Sequence, residues 1–357
     1  MSTLTKGDNA VSKVKVGIAG CGSIAQQRHA PEYSLNSNVE IAGFYDFVEI
    51  RANELCRRYG GKVYGSFEEM ISDRDIDAVS ICTPNNLHAE MSVQALNAGK
   101  HVLCEKPMAA NTKETREMIK AEQRSGKILM PGHNQRLVAT HMEAKKLIQD
   151  DTIGKLLFFQ CNFKHAGPEN WGVDKTNNTW FFKKDSAKYG VLGDLGAHKI
   201  DLIRFLTGEE IFKVRANMMT LDKRYSDGNL IDLEDNVVCE FEMSNGMPGI
   251  MHFSWTNYGQ EDNGSIIYGD KGVMKIFGDF DADILIEKRD GIVVKYSVGG
   301  ISTNKSQLKS GVIDEFIAAI VEERKPIVTG IDGHNTMAVI EAGVISNRKG
   351  TWIDVKY

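Results

Sequence analysis

No stretch of this chain is apolar for the ~20 residues that a bilayer-spanning helix needs, so a transmembrane role is not expected. Paired cysteines are missing too. The six present, Cys21, Cys56, Cys82, Cys104, Cys161 and Cys239, are dispersed and form no CxxC. Several lie in strand-like apolar runs, which reads as the reduced thiols of a cytoplasmic protein. There is no basic stripe to track phosphates: acids and bases are interspersed over a formal net charge of -5, so nucleic acid is not an expected partner. No acidic tail, internal repeat or low-complexity tract is found. The first thirteen residues, MSTLTKGDNAVSK, lack both an apolar core and a twin-arginine pair, and read as a disordered tail rather than a secretory signal.

What is present suits two domains, since 357 residues is long for one core. Apolar β-branched runs recur at Val14 to Ala19, Val39 to Tyr45, Ala78 to Cys82, His101 to Cys104 and Ile128 to Pro131, most of them separated by helix-period segments. Two of those helices end on C-cap glycines, Gly99 and Gly126. Alternating strand and helix predicts a parallel sheet covered on both faces over residues 14–136. Beyond that point strands follow one another through short turns. "NVVCEFEM" alternates Val237, Cys239, Phe241 and Met243 with Val238, Glu240 and Glu242, and similar runs continue to "GIVVKYSV". Residues 137–357 therefore read as an α+β domain with a large, mainly antiparallel open sheet, completed by helices around Val312 to Glu323 and Asn335 to Asn347.

Gly20-Cys21-Gly22-Ser23-Ile24-Ala25 follows the first strand at the mouth of a helix, the GxGxxA context of a Rossmann dinucleotide site: glycines for the tight turn and close backbone approach, a helix N-terminus for the pyrophosphate. Asp46 ends the second strand, where a ribose 2'-hydroxyl needs an acceptor. It would repel a 2'-phosphate, and Phe47 rather than arginine follows, so NAD is favoured over NADP, with Arg51 nearby as the contrary feature. "HVLCEKPMAAN" runs an apolar strand straight into Glu105-Lys106-Pro107. A strand tip at the ligand crevice is a reason for a charge there, and Thr83-Pro84-Asn85 sits at the neighbouring tip. His88 reads either as a cofactor-side residue or as a satisfied helix-start histidine.

In "GDLGAHKIDLIRF", Asp194 and His198 lie four apart and so share a helix face. An acid/base pair, a metal face and a capping pair all fit that spacing. The metal reading is the weakest, because no further ligand has recognisable spacing and Cys161 and His165 flank no motif; no metal is expected. The segment from Lys164 to Gly190 is polar, long and rich in rings: His165, Trp171, Trp180, Phe181, Phe182 and Tyr189. Such faces suit a sugar ring, and equally a subunit interface or a domain junction. His133 and Arg136 in "GHNQRL" are further candidates at the domain junction.

Taken together these runs resemble the glucose-fructose oxidoreductase and inositol dehydrogenase group, Gfo/Idh/MocA. The resemblance rests on GCGSIA, "TPNNLHAEMSVQALNAGKHVLCEKPMA", "GHNQRL", "GDLGAHKIDL" and "DGHNTMAVIEAGVISNRKG", and it covers nearly the whole chain after the tail. It implies that Lys106, Asp194 and His198 meet at the nicotinamide, often beside a cis Lys-Pro peptide. By the same resemblance Gly20, Gly22, Ser23, Ile24, Asp46, Thr83, Pro84, Asn85, His88, Glu105 and Lys106 form the cofactor side. Lys106, His133, Arg136, His165, Trp171, Trp180, Asp194 and His198 are the substrate candidates. The expected reaction is hydride transfer between NAD and a secondary hydroxyl of a neutral sugar, glycoside or cyclitol, ring C3 of a glucoside being favoured. His198, titrating near neutral pH, is expected to take the hydroxyl proton. The group also contains NAD-dependent glycosidases that oxidise the sugar transiently, and silent nucleotide or sugar sensors; retention of Lys106, Asp194 and His198 favours a dehydrogenase. A homo-oligomer built through the second domain's sheet is implied as well.

Overall fold

A computed structural model describes residues 13–173, 175–279, 281–299 and 309–357; all but the last of the residues read as a tail lie outside them. The first sheet has six parallel strands: β1 (Val14–Ala19), β2 (Val39–Tyr45), β3 (Lys62–Val63), β4 (Ala78–Ile81), β5 (His101–Cys104) and β6 (Leu129–Pro131). Their order, β3-β2-β1-β4-β5-β6, reverses direction at β1, so the crevice opens between the C-terminal tips of β1 and β4. β1 and β4 are buried almost throughout, as expected of strands with helices on both faces. The helix Thr112–Ser125 starts on Asn111, whose side chain accepts the Glu114 N–H, and stops at left-handed Gly126.

The second sheet has nine strands: β7 (Leu156–Lys164), β8 (Ile211–Met219), β9 (Asn236–Met243), β10 (Pro248–Ser254), β11 (Ser265–Gly269), β12 (Gly272–Ile276), β13 (Ile284–Lys288), β14 (Val293–Tyr296) and β15 (Ile353–Asp354). All pairings are antiparallel except that of β7 with β10. The alternation in β9 holds: Val237, Cys239, Phe241 and Met243 face the core, whereas Val238 is 42% exposed. The core of this half lies between the sheet and the helix Ala197–Thr207, with the closing helix Gly330–Lys349 packed against β8.

One helix lands elsewhere than expected. Val312–Val321 does not complete the second domain. Its Val312, Ile313, Phe316 and Ile317 join Val16, Ile18 and Phe44 in the core of the first sheet. Its apolar face is strongly one-sided, and the sequence pattern fixes that face without saying which sheet it meets.

A buried ion-pair network joins the two halves. Arg136, after β6, makes a bidentate pair with Asp201 at 2.7 and 2.7 Å and reaches Asp332 at 2.9 Å. All six cysteines are free thiols and five are buried. No helix among the described residues is long and apolar enough to cross a membrane.

Candidate active site

At the tip of β1, Gly20 has φ +90°, and a Cβ there would stand 2.6 Å from the Cys82 carbonyl carbon, so only glycine lets β1 and β4 approach this closely. A Cβ on Gly22 would meet nothing within 4 Å: the backbone faces open space where a pyrophosphate needs it. Asp46 Oδ2 accepts the Cys21 N–H at 2.6 Å and Oδ1 that of Val48 at 2.7 Å. Its carboxylate thus braces the glycine turn from the tip of β2. Ser23 is buried and donates to the Trp171 carbonyl at 2.8 Å, so the ring-rich segment of the second half lies over the glycine loop.

The tips of β4 and β5 form the floor of a cleft of about 1290 Å³, its open mouth included. Lys106 follows a strand buried at Val102, Leu103 and Cys104, and the Lys106-Pro107 peptide is cis, as the resemblance implied. Lys106 Nζ lies 2.7 Å from Asp194 Oδ1 and 3.1 Å from the Asp194 carbonyl. Trp255 Nε1 donates to the other Asp194 oxygen at 3.1 Å. Burial alone pushes the Asp194 carboxyl up, but Lys106, His165 and the Trp255 hydrogen bond outweigh it and hold the group below the usual carboxylate range. Asp194 sits in a π turn, Leu192–Gly196, that leads into the helix carrying His198, and both side chains line the cleft.

His198 departs from expectation. Burial, followed by the nearby Lys106 charge, pushes its imidazole well below 6.5 rather than leaving it near neutrality. Its Nδ1 is buried without a partner.

Of the other expected residues, Ile24, Thr83, Asn85, His88, Glu105, His165, Trp171 and Trp180 line the same cleft. The buried Thr83 Oγ1 has no partner, whereas the Asn85 amide is committed to the Ala187 carbonyl at 2.8 Å. His88 reads as the helix-start histidine: its ring nitrogens lie 2.8 and 2.9 Å from the carbonyls of Pro107 and Thr83, and burial keeps the ring neutral, so its single N–H donates to one of the two strand tips. Pro84, ahead of the short turn Asn85–Leu87, is not among the lining residues.

Two substrate candidates are corrected. Arg136 is 6% exposed and its guanidinium is consumed by Asp201 and Asp332, so it is a domain bolt outside the cleft wall. His133 is 1% exposed, with both ring nitrogens buried and unpartnered; it lies behind the wall, whereas Asn134 and Gln135 line the cleft. The buried Asn134 Oδ1 and Gln135 Oε1 also lack partners. The motif "GHNQRL" pointed to the right turn, and only its 3-10 geometry decides which of its residues face inward.

The long aromatic segment divides. Trp180 and Phe181 stack at 3.9 Å between ring centroids, Trp171 meets Phe181 edge-on at 6.3 Å, and all three line the cleft. Phe182 turns into the core against Trp255, and the Tyr189 hydroxyl donates to Ala110 across the domain junction. Sequence reasoning missed three other residues: Trp255, behind Asp194; His29, whose Nε2 is 2.8 Å from Glu105; and Phe163, packed 5.6 Å from His198. Trp255 sits in a strand-like run that reads simply as core, Phe163 lies on β7, and His29 closes the π turn Ala25–His29 behind the glycine loop, a placement no local pattern signals.

The glycine cradle, the open space at Gly22 and the unpartnered Thr83 Oγ1 fit a nicotinamide dinucleotide laid from β2 across to β5. Among the described residues no group of three or more His, Cys, Asp or Glu side chains could hold a metal ion.

A doubly wound nucleotide sheet whose crevice carries a lysine, a carboxylate and an imidazole, facing an open antiparallel sheet, defines a nicotinamide-dependent oxidoreductase. The chain belongs to the Gfo/Idh/MocA family. Residues 14–133 match the oxidoreductase family, NAD-binding Rossmann fold, and residues 141–275 match the GFO/IDH/MocA C-terminal domain. It is similar to levoglucosan dehydrogenase of Pseudarthrobacter phenanthrenivorans, 27% identical over 85% of this chain and 86% of that one. Glucose-6-phosphate 3-dehydrogenase of Bacillus subtilis is 33% identical over 61% of each. A solved levoglucosan dehydrogenase in complex with NADH and levoglucosan superposes with a TM-score of 0.84 at 25% identity, covering 97% of this chain and 100% of that one. The protein is an NAD-dependent dehydrogenase of this family.

Proposed function

We propose that the cleft oxidises a secondary ring hydroxyl of a neutral sugar, glycoside or cyclitol, ring C3 of a glucoside being favoured. The observation that carries this reading is the Lys106–Asp194 pair at 2.7 Å with His198 beside it in a cleft walled by Trp171, Trp180 and Phe181. NAD held by the β1 and β2 tips supplies the hydride acceptor. Lys106 donates a hydrogen bond to the reacting oxygen and stabilises its developing negative charge as the C–H hydride leaves. His198, neutral because it is buried, accepts the hydroxyl proton; with Nδ1 enclosed, Nε2 is the nitrogen left to meet it. Asp194 pairs with Lys106 through its carboxylate and its carbonyl and so aims it. The free acceptors of Asn134 and Gln135 suit ring hydroxyls. The aromatic wall suits the apolar C–H face of a sugar or an aglycone.

Support for the C3 position comes from the relative named a 3-dehydrogenase, and for a glucoside-like ring from the relative named for levoglucosan. Assembly through the outer face of the second sheet is proposed from its exposed apolar side chains, Val238, Ile250 and Tyr268. The deciding experiment is nicotinamide absorbance with NAD over cyclitols, free sugars and O- and C-glucosides, with His198→Ala in parallel and product analysis of each hit. Reduction seen in wild type and lost in the variant supports the reading. Aglycone release without net reduction sinks it in favour of a glycosidase, and binding of nucleotide and sugar without transfer sinks it in favour of a sensor.

A further inference from the structure

We propose that Glu234 is a positioning residue of the active site: its carboxyl oxygen, by holding the N–H groups of Gly190 and Leu192, sets the turn that carries Asp194 and His198 toward Lys106. Glu234 touches neither cleft nor cofactor loop. It precedes β9, is 8% exposed, and its Oε1 lies 2.8 Å from the Gly190 nitrogen and 3.2 Å from that of Leu192. Its own backbone carbonyl takes the N–H between them, that of Val191, at 2.9 Å. Three consecutive donors at the mouth of the π turn are thus satisfied by one residue from another element. The fit leaves no slack, since a Cβ on Gly190 would stand 2.0 Å from the Glu234 carbonyl. Asp194 follows directly, its N–H on the Gly190 carbonyl at 3.1 Å.

The neighbouring Asp235 extends the same hub to the rest of the site. Its carboxylate accepts the N–H groups of Leu221, Asp222 and Lys223, all at 2.8 Å. Lys223 in turn pins the Ala166 carbonyl and Glu169 of the segment that carries His165 and Trp171. The Asp235 carbonyl accepts the N–H of Trp255, whose ring holds Asp194. Glu234 and Asp235 therefore tie the catalytic turn and the aromatic wall to one point of the large sheet.

The Glu234 carboxyl is also poised to change charge. Burial, opposed by the N–H groups it accepts and helped by the adjacent Asp235, pushes it up to about 7. The other titratable groups facing it are Tyr189 from the segment before the turn and Cys239 from β9. A carboxylate accepts two N–H groups more strongly than the neutral acid, so the turn is held more firmly as pH rises through neutrality.

The inference rests on the dehydrogenase reading only for its kinetic test. Glu234→Gln keeps an acceptor oxygen and abolishes the charge. On any substrate that wild type turns over, kcat of this variant is expected to equal wild type near pH 6 and to fall about three- to tenfold behind near pH 9, with KM for NAD within about twofold. A wild-type to variant ratio that does not change with pH overturns the proposal, because a merely structural role lowers activity alike at every pH. The second arm needs no substrate: in a crystal structure of Glu234→Ala the Gly190–Asp194 turn is expected to shift and the Lys106–Asp194 contact to lengthen beyond about 4 Å, whereas in Glu234→Gln, which keeps an acceptor oxygen, turn and contact are expected to persist. An unchanged contact in the Ala variant overturns it. If the sugar panel is silent, the reaction reading fails and this arm still decides the role of Glu234.

Discussion

Lys106, at the tip of β5, and Asp194, in the π turn before the helix Ala197–Thr207, are 88 residues apart and meet at 2.7 Å. Lys106 gives Asp194 two contacts, one to the carboxylate and one to the backbone carbonyl, so the ammonium is oriented as well as neutralised. Removing it therefore costs more than a charge. Lys106→Ala is expected to lower kcat by about a hundredfold or more, with the Kd for NAD within about threefold of wild type, because nothing in the glycine cradle depends on the lysine. Equilibrium nucleotide binding alongside steady-state turnover checks this; a parallel collapse of NAD binding would contradict the assigned role.

At the tip of β2, Asp46 braces the turn at Cys21, and a ribose bound as proposed would meet its carboxylate there. Asp46→Ala is expected to weaken NAD by about ten- to a hundredfold and NADP by less, since the repulsion of a 2'-phosphate disappears with the acid. Equal losses for the two cofactors, measured by fluorescence titration, would mean that the bracing contact is the whole role of Asp46.

Acid sensitivity follows from the histidines. Eight of the nine, His88, His101, His133, His141, His165, His198, His252 and His334, have their protonation lowered, and burial is the leading cause for each. A lowered histidine stays neutral when folded and takes up a proton when unfolded, so its contribution is intact above about pH 6.5 and is lost as pH falls below it. Three raised carboxyls, Glu32, Glu122 and Glu234, act in the opposite sense, as each holds its proton longer in the folded chain. Eight against three decides the sign. The melting temperature is expected to fall steadily between pH 6.5 and about 4.5, and a flat profile from calorimetry would refute the burial argument.

The Arg136 network makes a stability prediction distinct from catalysis. Arg136→Ala takes the bidentate partner from Asp201, 1% exposed at its side chain, and leaves it only the longer 3.7 Å pair with Arg204, which costs about 3 kcal/mol. Arg136→Met paired with Asp201→Leu should restore most of that loss. Denaturant unfolding of the single and double variants reads the difference.

Much of this molecule is legible in its sequence where a short run carries both element and chemistry. GCGSIA announces a strand, a turn and an anion-ready helix mouth at once, and CEKP announces a strand tip with a charge on it. What escapes is whatever depends on contacts between distant segments. Nothing local in "IDLEDN" says that Glu234 grips the Asp194 turn, and nothing in "GHNQRL" says that His133 and Arg136 turn away while Asn134 and Gln135 line the cleft. The expectation for His198 fails for the same reason: its position on a helix face is readable, whereas the burial that lowers its proton affinity is set by packing from β7 and the neighbouring lysine.

The last prediction concerns the aromatic wall. Trp180 is stacked on Phe181, with Trp171 edge-on to the same ring, so the three act as one apolar surface rather than as separate contacts. On the proposed reading, a monosaccharide or cyclitol bound at Lys106 and His198 would need little of it, while the aglycone of a glucoside would extend toward it. Trp180→Ala is therefore expected to raise KM for aryl glucosides by about ten- to thirtyfold and for free glucose or inositol by no more than about threefold, with kcat little changed in either case. The split between the two substrate classes is the measurement that matters. Equal rises in KM would make the wall a floor for the sugar ring itself, and a loss of kcat without change in KM would mean that Trp180 supports the catalytic groups instead of the ligand.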